Sequence, residues 1–176
     1  MNTQTTQSEP KHEETPDGQT GKLYPLFAPR PGASLSADSI ARIVQRDRFA
    51  RLVVETEIGR FLASAQCVTD FVSSLERAGV GVGAVRPTLY ARPRRTALEK
   101  ECDSLFMVQG GTFLTEKSFP RFLRRNPHAL VLVRFYSGRL LAPAQSVVAL
   151  ITALEKGGED VRDVSYFTAD GSCLSL

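Results

Sequence analysis

The chain has 176 residues, 42% of them hydrophobic, which is enough for one sizeable core beside a polar tail. A formal net charge of +3 permits contact with nucleic acid or an acidic partner without demanding either. No apolar run reaches the roughly eighteen residues of a membrane span, and three cysteines (Cys67, Cys102, Cys173) without CxxC spacing, with only His12 and His128, exclude a Cys/His zinc pattern.

Residues 1–21 are rich in Thr, Gln, Ser, Glu and Pro and carry almost no large apolar side chains. They offer no burial to offset the entropy of ordering, so a disordered tail is expected. They also lack the basic and apolar regions of a secretory signal, and with the unpaired thiols this points to a reducing, cytoplasmic compartment. The tail is expected to extend to residue 32 and to end in KLYPLFAPRPG, where Leu23, Tyr24, Leu26 and Phe27 cluster between prolines. Proline forbids regular helix there. Two roles fit this knot: an arm folded back on the domain, or a linear motif that docks a protein partner.

Residues 33–176 are expected to form one α+β domain. Ser36 caps a helix at Ala37–Arg46, with Ile40, Ile43 and Val44 inward and Arg42 and Arg46 on a solvated face. A strand at Arg51–Thr56, a turn at Ile58-Gly59 and a second strand at Arg60–Ala63 follow. The next helix places Ala65, Val68, Phe71, Val72 and Leu75 on one face and stops at Gly79. Val80–Tyr90 then reads as extended.

This grammar is written twice. Gly59–Gly79 matches Gly138–Gly158, seventy-nine residues later, at ten of twenty-one positions without a gap. The second copy has a strand at Leu130–Phe135, a turn at Ser137-Gly138, Pro143 at the first helical position, the same helical stripe and a closing strand at Val161–Phe167. The expected fold is therefore an internally duplicated β-turn-β-α-β arrangement, with units at about 50–91 and 130–168. The strands should form a mixed sheet with helices mainly on one face. Between the copies, Leu105–Val108 and Thr112–Thr115 flank Gln109-Gly110-Gly111 as a hairpin, followed by a helix at about Glu116–Arg125. The echo of GRFLA in GTFLT suggests a degenerate third unit at 104–126.

Enzyme signatures are missing from the sequence. There is no GxSxG, HExxH or P-loop pattern, and the glycines of Gly79–Gly83 follow a helix, where their amides cannot hold phosphate. The reading is a non-catalytic binding protein that needs no cofactor or metal. Its candidate nucleic-acid-binding residues are Arg86, Tyr90, Arg92, Arg94 and Arg95 in the connector, with Arg121, Arg124 and Arg125 on the middle helix. Guanidinium groups donate paired hydrogen bonds to phosphate, and Tyr90 can stack on a base. Either DNA or RNA fits this chemistry. The alternative is a protein-interaction adaptor that docks through Leu23, Tyr24, Leu26 and Phe27 or through a free sheet edge, which could also pair two copies as a homodimer. Arg60 and Arg139, kept in both copies, are a candidate paired site, and Gln66 and Gln145 are expected to bond backbone in the first helical turn.

Overall fold

In a computed structural model the described residues are 27–89, 119–126 and 129–167. They form an α+β fold around one six-stranded sheet. The elements in order are α1 (Ala37–Arg46), β1 (Arg51–Thr56), β2 (Gly59–Ser64), α2 (Ala65–Ala78), β3 (Val82–Pro87), α3 (Phe119–Arg125), β4 (Leu130–Phe135), β5 (Gly138–Pro143), α4 (Val147–Lys156) and β6 (Val161–Phe167). A 3₁₀ turn at Ala144–Ser146 leads into α4, so Pro143 closes β5 and stands before the helical turn instead of opening it.

The strand order is β3-β1-β2-β5-β4-β6 and every neighbouring pair is antiparallel. The expectation of a mixed sheet is thus corrected. β2 and β3, joined by the α2 crossover, do run in the same direction, but β1 lies between them and pairs antiparallel with both. The sheet is continuous. It is not split into two lobes.

The pairings of the first three strands recur in the last three at a constant offset of seventy-nine residues. Leu52 faces Ala63 and Pro87, as Val131 faces Ala142 and Tyr166, and the bulge at Glu55/Thr56 returns at Arg134/Phe135. The bonds outside the ladders follow the same rule. Asp47 N to Ile43 O matches Asn126 N to Phe122 O, and Ala65 N to Ala50 O matches Ala144 N to Ala129 O. At the centre Leu62 lies opposite Leu141. These two positions are themselves seventy-nine apart.

Successive strand residues alternate between faces. Leu52, Val54, Phe61, Ala63, Val131, Val133, Leu140 and Ala142 point to the main core, and all four of the described helices contribute to it. α2 supplies Val68, Phe71 and Leu75, α4 supplies Val147, Leu150 and Leu154, α1 supplies Ile40 and α3 supplies Phe122. Val53, Leu62, Leu132 and Leu141 point the other way and are equally buried.

The chain enters the domain along the outer edge of β3. Arg30 N donates to Pro87 O at 2.8 Å, Leu89 N to Ala28 O at 2.8 Å and Leu35 N to Val85 O at 2.7 Å. Phe27 is buried at the start of this arm. Leu23, Tyr24 and Leu26 lie outside the described residues, as does the expected hairpin at 105–115. Phe27→Ala is expected to lower stability by about 2 kcal/mol in urea unfolding, less than a central Phe because the arm can peel away from the edge.

Candidate nucleic-acid interface

α1 forms because Ser36 accepts a bond from Ser39 N at 3.3 Å and Asp38 sits in the first turn, where the helix dipole favours an anion. Ile40 is buried, and Ile43 and Val44 pack partly against the core. Their inward placement turns Arg42 and Arg46, four residues apart, to the exposed side. α3 repeats the arrangement: Phe122 is buried while Arg121, Arg124 and Arg125 are exposed. Pro120 is tolerated because it lies in the first turn, where its missing amide would have no partner. Arg42 corresponds to Arg121, and Arg46 to Arg125, at the offset of seventy-nine. Among the described residues no carboxylate pairs with any of these arginines.

The arginines of the sheet differ. Glu55 receives Arg60 at 3.1 Å and Arg86 at 3.5 Å, and Arg134 meets Asp163 at 3.3 Å. Arg86 is therefore tied to the sheet by a carboxylate and is less available to phosphate than the helix arginines. Arg60 and Arg139 are not brought together. Each lies two residues from the central Leu62–Leu141 pair, on opposite sides of it, so their Cα atoms are about 13 Å apart along the strands. Tyr90, Arg92, Arg94, Arg95 and His128 lie outside the described residues.

One end of the sheet gathers exposed aromatic surface. β1 begins where β2 ends, β5 begins and β4 ends. At this end Phe49 is 52% exposed and Tyr136 is 73% exposed. The Arg48 guanidinium lies 4.7 Å from the Phe49 ring centre, and Arg162 lies 5.1 Å from that of Tyr136. Such stacking holds the cation over the ring face. β3 also ends here, with Leu89 exposed where the arginine-rich connector begins. Asp47 and Asp160 stand close by, since Phe49 N bonds the Asp47 carboxylate and Tyr136 N bonds the Asp160 carbonyl.

The other polar positions serve the fold. Cys67 is buried, and its thiol contacts Ser64 Oγ at 3.2 Å and the Arg139 carbonyl at 3.4 Å. Ser74, fully buried, donates to Glu159 Oε1 at 3.2 Å, and Ser137 donates to the same oxygen at 3.1 Å. Gln66 is exposed, and its backbone amide bonds Arg48 O. No group of three or more metal-ligating side chains occurs among the described residues, and no described helix is long and apolar enough to cross a membrane.

Sequence reasoning singled out Arg121, Arg124 and Arg125 but treated Arg42 and Arg46 as an ordinary solvated face. The signal that links them was present: ADSIARIVQR and EKSFPRFLRR align at the same offset as the longer repeat. No family model, curated protein or solved structure matches the chain.

Proposed function

We propose that the chain is a tandem pair of α-β-β-α-β units that binds nucleic acid through the exposed faces of α1 and α3. The observation that carries this reading is the recurrence of Arg42 and Arg46 as Arg121 and Arg125, exposed and without a carboxylate partner among the described residues. In the sheet, by contrast, Arg60, Arg86 and Arg134 are matched by Glu55 and Asp163. Surface cations held in the same place in both halves, while the residues around them change, supply a repeated anchor for phosphate. Phe49 and Tyr136 add faces on which bases can stack, and the connector arginines Arg92, Arg94 and Arg95 extend the basic surface in sequence. The competing adaptor role draws less support, because Phe27 is buried in the domain instead of being offered to a partner.

The test is a fluorescence titration of the full chain against generic DNA and RNA at two salt concentrations. Binding should weaken steeply with salt, by about one unit of log–log slope for each phosphate contact. Replacing Arg42, Arg46, Arg121 and Arg125 with Gln should lower that slope by about 4 for duplex DNA while leaving the melting temperature unchanged. Absence of binding at low salt, or a slope that these substitutions do not move, sinks the proposal.

A further inference from the structure

The sheet sets Phe49 and Tyr136 level with each other. Arg51 pairs with Ser64 and Arg134 with Arg139, and the register of β2 on β5 carries Ser64 and Arg139 into one row. Phe49 lies two residues outside that row ahead of β1, and Tyr136 two residues outside it after β4. Three strand spacings part them, about 14 Å. Each ring carries a guanidinium over one face, Arg48 on Phe49 and Arg162 on Tyr136. Both rings are still more than half exposed.

The offset of seventy-nine breaks down at this place. Glu57 stands where Tyr136 would be expected and Gly83 where Arg162 would be. The backbone is nonetheless kept, since Glu57 N to Gly81 O corresponds to Tyr136 N to Asp160 O. Glu57 is exposed and also accepts a bond from Gly81 N at 3.1 Å. The turn therefore forms without a ring or its cation. Tyr136 and Arg162 answer to something other than folding.

We infer that this end of the sheet holds single-stranded nucleic acid, one base stacked on Phe49 and another on Tyr136. The inference rests on the nucleic-acid reading above and narrows it to the unpaired strand. In a duplex each base face is covered by its neighbours, so a side-chain ring can stack only on a base that is splayed out. The guanidinium on one face of each ring leaves the other for a base and sets its N–H donors beside the adjoining phosphate. A span of 14 Å is about four nucleotides at the stacked rise of about 3.4 Å, and fewer in an extended strand. Asp47 and Asp160 share this end, but the Asp47 carboxylate is engaged by the Phe49 amide at 3.0 Å. Arg42 and Arg46 of α1 lead straight into Arg48 and Phe49, so phosphate anchors precede the first stacking ring.

The test compares a dye-labelled oligothymidine of about a dozen nucleotides with the same strand annealed to oligoadenine, on the full chain at low salt. The single strand should bind about 10-fold or more tightly than the duplex. Phe49→Ala and Tyr136→Ala should each weaken single-strand binding by about 10-fold, with the duplex affinity, the salt slope and the melting temperature unmoved. Phe49→Trp should restore or exceed the original affinity. The chain has no tryptophan, so tyrosine emission reports stacking directly. Unlabelled oligothymidine should quench it, and Tyr136→Phe, which keeps a ring, should lose part of that quench while binding within about 3-fold. Equal affinity for strand and duplex, or single-strand binding indifferent to both alanine substitutions, overturns the inference and leaves the helix arginines standing. Self-association that Phe49→Ala abolishes, without any change in strand binding, assigns the rings to a protein contact and also overturns it. Failure to bind either form removes both readings together.

Discussion

Gly157→Ala is expected to destabilise the protein by more than about 3 kcal/mol, measured as a fall in the urea midpoint at unchanged slope. Local reasoning gives the opposite sign. Gly157 has φ −78° at the end of α4, a conformation open to any residue, and an Ala there would ordinarily add up to about 1 kcal/mol of stability by restricting the unfolded chain. The tertiary structure reverses this, because a Cβ at 157 would lie 2.1 Å from the Ser74 carbonyl oxygen of α2. That oxygen belongs to backbone and no rotamer can move it, so the two helices must separate. Gly138→Ala tests the same seam with a removable obstacle. Its Cβ would meet Cys67 Cβ at 2.3 Å, whereas Cys67 Cα lies 3.8 Å away. Adding Cys67→Gly should therefore recover part of the loss, and the double-mutant cycle should show favourable coupling. Gly79→Ala is the contrasting case: it has open space but φ +83°, so its cost should be the conformational one, about 1–2 kcal/mol.

Phe71→Ala should cost about 4 kcal/mol, with a fall in melting temperature of roughly 10 °C or more. Phe71 is fully buried in α2, edge-on to Phe61 of β2 at 5.9 Å between ring centres and 6.2 Å from Phe135 of β4. It joins the first half of the sheet to the second, so the cavity left by its removal has walls on two sides that cannot collapse independently. Phe71→Leu restores the side chain that the second half carries at Leu150 and should cost no more than about 1.5 kcal/mol. An equal loss for both substitutions would mean that shape at the ring contacts, and not volume, holds the halves together.

Much of the fold was legible in the chain. α1 begins after Ser36 and ends at Arg46, β1 spans Arg51–Thr56 and α2 ends at Gly79 in the left-handed conformation, all as expected from caps, β-branched runs and helical stripes. These features depend on neighbours within a few residues, so composition and spacing suffice. The candidate site was half legible. The arginines of α3 stood out because three lie within five residues. Arg42 and Arg46 did not, since a lone i, i+4 pair resembles any solvated helix face until its counterpart is placed beside it.

By itself the sequence determined the order of the described helices and strands, which of their faces are apolar, and several of their ends. It did not determine that Pro143 closes β5 or that the middle helix is described only from Phe119. The tertiary structure decided how those elements meet. It set β1 between β2 and β3 and so made the sheet wholly antiparallel, because pairing partners are chosen by packing over distances that no local pattern encodes. It also separated glycines that look alike in the chain. Gly79 answers a backbone angle, which its own residue type reveals, whereas Gly138 and Gly157 answer a helix from the other half, which only the assembled core brings within reach.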